Sequence, residues 1–408
     1  MTNNKKLGRR QFLAKSVFGI MSARCIGTSH RKSIAAANDR NHSPKKDIIY
    51  RTLGKTGIEL PIVNMGVMNT LSYELTRRSY EIGVRYFDTA AEYARGRSEE
   101  MLGNVIKELN ARDQVIIGTK IYIPPLQRNM SSAEIKETCL KSANESLKRL
   151  QTDYIDILYS HNVDSMDWLT NPGVLEVLQL LKDQKKARYL GFSTHRNMVD
   201  CIDKATSLSF YDVILTSFNY ALWEEQELIK GLETASKKGI GLIAMKTQCT
   251  QYYQGLRDPK NLKYYQRKIM HTAVLKWVLR HPFITAAVPG YTNFDQMEED
   301  FSVAYNLEFT DEEKRFLEDS QVKYGMEICH QCNQCLPTCP RGVDIPTLMR
   351  THIYATCYTN FYQARDALNE ISKGKGLNQC ASCNTCQAIC HNKLDIAQRI
   401  DELKTIYT

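Results

Sequence analysis

Four side chains with complementary proton chemistry stand at or just after the ends of successive apolar runs. Asp88 lies in VRYFDTA, Tyr93 follows five residues later, Lys120 closes VIIGTK and His161 closes YIDILYSH. Passing a hydride to a carbonyl requires a proton for the developing alkoxide. A tyrosine hydroxyl can supply it, although an unperturbed pKa near ~10 makes it a reluctant donor. An ammonium beside the phenol favours phenolate and lowers that pKa, and a carboxylate holds the ammonium charged and oriented. A histidine at the pocket mouth can hydrogen-bond the carbonyl oxygen. Each residue alone is most often a surface or structural group, whereas the four together on neighbouring strand ends read as a catalytic set.

Positioning them requires a regular scaffold. Eight apolar runs occur at 61–68, 84–90, 115–120, 154–161, 187–194, 213–220, 240–247 and 284–290. Between them lie stretches such as 132–150 and 172–187 with the i, i+3, i+4 spacing of amphipathic helices. Strands alternating with helices imply parallel pairing, since a crossover helix must return the chain to begin the next parallel strand. Eight such units predict an α/β fold of the (β/α)8 TIM-barrel type, with the active site at the C-terminal strand ends. No G-x-G-x-x-G follows the first run, which removes the main argument for a doubly wound dinucleotide fold. Ahead of the barrel, YRTLGKTGIELP reads as a β-hairpin. After it, TDEEKRFLEDS opens with a capping-box pattern, Thr310 to Glu313, and predicts a closing helix.

Beyond that helix the composition changes. Cys329, Cys332, Cys335 and Cys339 are repeated in spacing by Cys380, Cys383, Cys386 and Cys390, so eight of the thirteen cysteines form two C-x2-C-x2-C-x3-C modules. Three thiolates at this interval wrap one face of a [4Fe-4S] cubane while the fourth reaches a second cluster. The expected ligand sets are therefore crossed, Cys329, Cys332 and Cys335 with Cys390, and Cys380, Cys383 and Cys386 with Cys339. Zinc sites and disulfides are the alternatives, but zinc motifs pair two C-x2-C elements across a longer gap and disulfides do not need this spacing. Cys139, Cys201, Cys249 and Cys357 fall outside the modules and read as buried thiols. Residues 345–372 have a helical pattern, and the region resembles an α-helical dicluster ferredoxin domain.

The net charge of +9 is concentrated at one end: residues 1–37 carry eight Lys and Arg and no Asp or Glu, leaving +1 for the rest. The body is nearly neutral, which argues against nucleic acid as a partner. The leader runs from GRRQFLAK through a modest apolar segment to Ala35-Ala36-Ala37. It resembles a twin-arginine export signal and implies the twin-arginine machinery as a partner and a periplasmic or exported location; as a disordered basic tail it would leave the protein cytoplasmic. The segment is too short and interrupted for a stable membrane span.

Between residue 48 and about 322 the chain resembles the aldo-keto reductase family, through YRTLGKTG, FDTAAEYARGRSEEMLG, IIGTK, YIDILYSH, GFSTH and AVPGYTNFDQMEED. The resemblance assigns the catalytic tetrad to Asp88, Tyr93, Lys120 and His161. It also implies a nicotinamide cofactor, NAD or NADP, lying across the barrel mouth, with Ser193 and Thr194 at the carboxamide. Asn219 completes the implied contacts near that end, and Pro289, Gly290, Gln296 and Glu299 meet the adenosine end. The Lys and Arg that clamp a 2'-phosphate in NADP-selective members are absent after the last run, where Gly290, Tyr291 and Gln296 stand, so NAD is at least as well supported. The basic, Tyr-rich loop from Gln248 to Met270 is a candidate substitute clamp.

The expected organisation is a signal peptide over 1–37, a linker over 38–47, the barrel over 48–322 and a two-cluster ferredoxin-like domain over 323–408. The expected activity is oxidoreduction of a small carbonyl or alcohol substrate, a sugar among the candidates, beside an iron-sulfur relay serving an external electron-transfer partner. The alternative is an electron-transfer iron-sulfur protein whose barrel binds a ligand without turnover.

Overall fold

The computed structural model describes residues 47–248, 269–319, 322, 328–383 and 385–407. The basic leader lies outside the described residues, as do 249–268 with Cys249 and the basic side chains of the expected substitute clamp.

All eight apolar runs become strands. They are β3 (Met65–Gly66), β4 (Tyr86–Asp88), β5 (Ile116–Ile121), β6 (Ile155–Ser160), β7 (Ala187–Thr194), β8 (Val213–Ser217), β9 (Gly241–Met245) and β10 (Ala286–Ala287). Neighbours pair in parallel in chain order, and a parallel bridge between Val63 and Ala287 joins the last strand to the first, closing the (β/α)8 ring. The two-residue alternation of a strand separates two cores. Tyr86, Ile157, Tyr159, Val213, Leu215 and Ile243 fill the barrel interior. Phe87, Leu158, Ile214 and Leu242 face outward into the layer packed by the helices.

The N-terminal hairpin pairs β1 (Tyr50–Thr52) with β2 (Glu59–Pro61) and inserts Leu53 and Leu60 into the interior core. The expected closing helix forms over Asp311–Glu318, with Thr310 and Glu313 making the reciprocal capping box.

The C-terminal region is helical, with Ile345–His352, Phe361–Asn369, Leu377–Cys380 and Ile396–Tyr407. The first of these continues into a π-helical turn, Ile353–Cys357. A small core of Val343, Leu348, Leu377, Leu394, Ile400 and Leu403 holds these helices together. Lys46–Thr408 form one compact unit. The C-terminal region rests on the C-terminal ends of the strands: Arg196 after β7 donates to Asn333 at 2.8 Å, His330 pairs with Glu225 at 2.7 Å, and Asn360 donates to the Met68 carbonyl after β3 at 3.3 Å. Among the described residues no helix is long and apolar enough to cross a membrane.

Candidate active site

Strand register brings the first pair together. Asp88 on β4 lies opposite Gly118 on β5, two residues before Lys120. Lys120 donates to Asp88 Oδ2 at 2.7 Å and to the Thr89 carbonyl at 2.6 Å. Tyr86, on the same face of β4, donates to Asp88 Oδ1 at 3.2 Å and shares a hydrogen bond with the Tyr159 hydroxyl at 3.0 Å. A methyl group at Gly118 would collide with the Tyr86 hydroxyl, so the glycine of IIGTK makes room for the residue that steadies Asp88. Burial raises the Asp88 pKa and lowers that of Lys120, and the ion pair opposes both shifts.

Tyr93 starts a tight turn in which Ala94, Arg95 and Gly96 all have positive φ, 49°, 57° and 85°. Two consecutive non-glycine residues in the left-handed region are unusual, and here they direct the phenol back over the strand ends. The Lys120 ammonium stands 4.8 Å from the Tyr93 ring centroid. Burial, followed by Asp88 and Tyr354, pushes the phenol well above its ordinary pKa. The sequence expectation was the reverse shift. Lys120 meets the face of the ring and spends its N–H groups on Asp88 and Thr89, so desolvation of the phenol dominates.

His161 lies edge-on to Tyr93, with centroids 5.9 Å apart, and to Tyr122 at 5.6 Å. Its Nδ1 is hydrogen-bonded to Glu92, a residue that the sequence reading passed over. Burial and the Arg350 and Lys246 cations push His161 down to about 3, and the ring is neutral. With Nδ1–H donating to Glu92, Nε2 is left as an acceptor.

These residues line one cavity, which continues along Met245, Lys246, Thr247 and Gln248 to Pro289, Gly290, Gln296, Glu299 and Asp300. Its roof is the C-terminal region, through Arg350, Tyr354, Tyr358, Gln363 and Glu370. The π turn carries Tyr354, whose hydroxyl accepts from Lys246 at 3.3 Å. Of the expected cofactor contacts, Pro289, Gly290, Gln296 and Glu299 border the cavity. Ser193, Thr194 and Asn219 are buried behind it and satisfied within the protein: Ser193 Oγ accepts from the Asn162 backbone, Thr194 donates to the Arg196 carbonyl, and Asn219 accepts from the Ala221 backbone. In their place Asn162 and His195 reach the cavity. Both follow strand ends; the signal for Asn162 was its position directly after His161. Burial raises Asp300 to about 7, against the hydrogen bond from Gln248.

Among the described residues six buried polar atoms on the cavity wall have no protein partner: Glu92 Oε2, Tyr122 Oη, Asn162 Oδ1, His195 Nδ1, Thr247 Oγ1 and Arg350 Nε. Leaving such atoms unpaired is costly, and a concave site that collects them fits a polar ligand.

The cysteines gather across their modules. Cys329 and Cys335 both lie within electrostatic reach of Cys390, and Cys380 within reach of Cys339, Cys383 and Cys386. The second set rings a cavity walled by Val343, Ile345, Ile396 and Ile400. Four soft sulfur donors around an apolar space suit an iron-sulfur cluster. Among the described residues no three His, Cys, Asp or Glu side chains converge as a metal-ion site does; a cubane is larger than one ion and holds its thiolates farther apart. Burial raises the Cys329 thiol to about 12 and those of Cys335 and Cys380 to about 11. Outside the modules Cys139 and Cys201 are buried and Cys357 is half-buried.

A parallel eight-stranded barrel with an Asp–Lys pair under a tyrosine and a histidine at its mouth defines a class of barrel oxidoreductases. Residues 62–267 match the aldo/keto reductase family and residues 328–395 match the 4Fe-4S dicluster domain. The chain belongs to the aldo/keto reductase family and carries an iron-sulfur domain at its C-terminal end. It is 24% identical over 322 residues to L-glyceraldehyde 3-phosphate reductase of Escherichia coli O157:H7, covering 65% of this chain and 90% of that relative. It is 29% identical over 215 residues to L-galactose dehydrogenase of Arabidopsis thaliana, covering 48% and 64%. In fold it matches an aldo-keto reductase from Bacillus halodurans (holo form) with a TM-score of 0.54 and 20% identity, over 68% of this chain and all of the other. An aldo/keto reductase from Klebsiella pneumoniae in complex with NADP and acetate gives a TM-score of 0.51 at 20% identity, over 66% and 95%.

Proposed function

We propose that this protein interconverts a carbonyl and an alcohol of sugar type, using a nicotinamide cofactor held along the cavity, with Tyr93 as general acid and base. One observation carries the reading: the Lys120–Asp88 contact at 2.7 Å lies beneath the buried Tyr93 ring and beside His161. When bound, the nicotinamide supplies or accepts the hydride. In reduction Tyr93 gives its proton to the carbonyl oxygen, and Lys120 stabilises the phenolate left behind; in oxidation the phenolate takes the proton from the alcohol. Tyr86 and Tyr159 keep the Asp88 carboxylate aimed at Lys120 through their hydroxyls. The neutral His161, held by Glu92, accepts from the alcohol hydroxyl and so orients it.

The wall fits the cofactor differently at its two ends. Asn162 Oδ1 and His195 Nδ1 are free to accept from and donate to a carboxamide, whereas Ser193, Thr194 and Asn219 are engaged elsewhere. At the other end Glu299 borders the cavity, and a carboxylate there disfavours a 2'-phosphate, which supports NAD over NADP. Cys329, Cys332, Cys335 and Cys390 hold one [4Fe-4S] cluster, and Cys380, Cys383, Cys386 and Cys339 the other. The clusters are one-electron carriers for an external partner. The sugar-type substrate is supported by the names of the two relatives, an L-galactose dehydrogenase and a reductase of L-glyceraldehyde 3-phosphate. The RR-x-F-L leader adds export through the twin-arginine route, with the folded protein carrying its cofactor.

Acid extraction of protein isolated from the exported fraction should release NAD(H) on chromatography; NADP(H) or nothing overturns the cofactor reading. Replacing Tyr93 by Phe should lower turnover about 10²- to 10⁴-fold with the visible absorption of the clusters unchanged. A second reading, an electron-transfer protein whose barrel binds a ligand without turnover, is favoured by the upward shift of the Tyr93 phenol. Absence of turnover by the parent protein across aldehydes, ketones and sugars selects it.

A further inference from the structure

The roof of the cavity belongs to the domain that carries the cysteines, and its polar groups are arranged as a ligand-binding surface. Arg350 lies on the Ile345–His352 helix, which has Asp344 at its N-cap and is tied to the barrel through Arg196. It is buried, its Nη2 pairs with Glu370, and among the described residues its Nε has no partner. The Arg350 charge acts on both His161 and Tyr122, while Tyr354, one helical turn on, acts on Tyr93. The Tyr122 hydroxyl, its pKa raised first by burial, lies close enough to Glu370 to be raised by it as well, and among the described residues no group meets it in full hydrogen-bonding geometry. Arg350 and Glu370 also border a second cavity, with Asn162, Asp164, Arg196, Asp344 and Lys375, so the pair stands between two spaces.

Resting on the carbonyl–alcohol reading above, we propose that Arg350 is a substrate-positioning residue: its Nε–H donates to a hydroxyl of a polyhydroxylated substrate while Tyr93 holds the reacting oxygen. The iron-sulfur domain therefore reads the substrate that the barrel transforms. The partnerless atoms on the substrate side are one donor, Arg350 Nε, one acceptor, Glu92 Oε2, and one group that can do either, Tyr122 Oη. Hydroxyls both donate and accept, so a polyol satisfies all three. A carboxylate would leave Glu92 facing a like charge, and an alkyl chain would leave every one of them unpaired. Glu370 neutralises Arg350 and fixes its plane, which favours hydroxyl recognition over capture of an anion. A site built around such groups discriminates strongly against an analogue that lacks the hydroxyls.

Glyceraldehyde and propanal share a carbon skeleton and differ in two hydroxyls, so their kcat/KM ratio reads the contact directly. In Arg350→Gln the KM for glyceraldehyde should rise roughly tenfold or more while propanal changes less than about twofold, with cluster absorption intact. A loss shared equally by both aldehydes, or no change for either, overturns the inference. If Arg350→Gln does not retain its clusters, Arg350→Lys keeps the charge opposite Glu370 while removing the Nε donor, and the same split is expected; its absence is equally decisive. Failure of the parent to turn over either aldehyde counts against the functional reading alone. Calorimetric binding of glycerol against propan-1-ol then decides the Arg350 contact: glycerol preferred by the parent and not by Arg350→Gln supports it, and equal binding refutes it.

Discussion

The barrel and the C-terminal domain bury their polar groups by different rules. In the barrel and its surrounding helices, charges are buried in pairs and largely answered from within the protein: Asp88 by Lys120 and Tyr86, Asp156 by Arg112 and Arg188, Lys276 by Glu313. In the C-terminal domain burial raises the pKa of Cys329, Cys335 and Cys380, each set beside other cysteines, and the weaker pull of Lys404 on Cys380 and of Arg196 on Cys335 does not offset it. The barrel has two cores of its own, whereas the small cluster around Leu348 and Leu403 includes Cys335 as a member. A region of this size with so small a core is expected to draw part of its stability from bound clusters, as small metal-bound domains do.

The sharpest way to break that contrast is to remove the iron. Chelation under reducing conditions should unfold the helices from Ile345 to Tyr407 and leave the barrel's cooperative thermal transition in place, read by far-ultraviolet circular dichroism and calorimetry. Simultaneous collapse of both regions would place the barrel under the same dependence. Within the domain, Cys390→Ser and Cys339→Ser should each lower the iron content by about half, since each removes one ligand from a different cluster. Spectroscopically identical losses in the two variants would refute the crossed ligand sets.

The barrel's rule is tested at Lys120. Replacing it by Met strands the Asp88 carboxylate and should cost about 3–5 kcal/mol in urea denaturation, together with most of the turnover. Adding Asp88→Asn should restore much of the stability and none of the activity. If Lys120→Met alone is neutral, the pair is not the barrel's buried anchor.

The smallest effect is expected at Asp300, the exception to the barrel's rule. Its folded pKa of about 7 stands above the unfolded value of 3.8, so the native state holds an extra proton between those limits. Stability from this group is complete below the unfolded pKa and is lost as pH rises through about 7. Asp300→Asn should therefore match the parent near pH 4 and exceed it at pH 8 by about 1–3 kcal/mol, below the ~4 kcal/mol ceiling set by the shift. A pH-independent difference would mean that Asp300 is ionised throughout.

Much of this was legible in the chain because local pattern carried it. The alternation in VRYFDTA that places Tyr86 and Asp88 on one face also turns Phe87 outward, and eight such runs separated by helical patterns leave few folds. The cysteine spacing marked out two like modules because three cysteines at i, i+3 and i+6 have a local geometry. The expected contacts at Ser193, Thr194 and Asn219 are a different matter. Whether a side chain at a strand end opens to a cavity or turns behind it depends on the neighbouring strand's loop, and Asn162, with φ 59°, takes the position in front. Glu92 was missed for a similar reason, since its contact with His161 spans two strands.

The sequence by itself determined the barrel, the placing of Asp88, Tyr93, Lys120 and His161 at or after its strand ends and the two cysteine modules, because periodicity and spacing express short-range geometry. Tertiary structure alone decided that the cysteine-bearing domain closes the barrel mouth, that Arg350 and Tyr354 face Tyr93 and His161, and that burial raises the phenol's pKa instead of lowering it. Those outcomes depend on contacts between residues about two hundred positions or more apart and on the desolvation they impose.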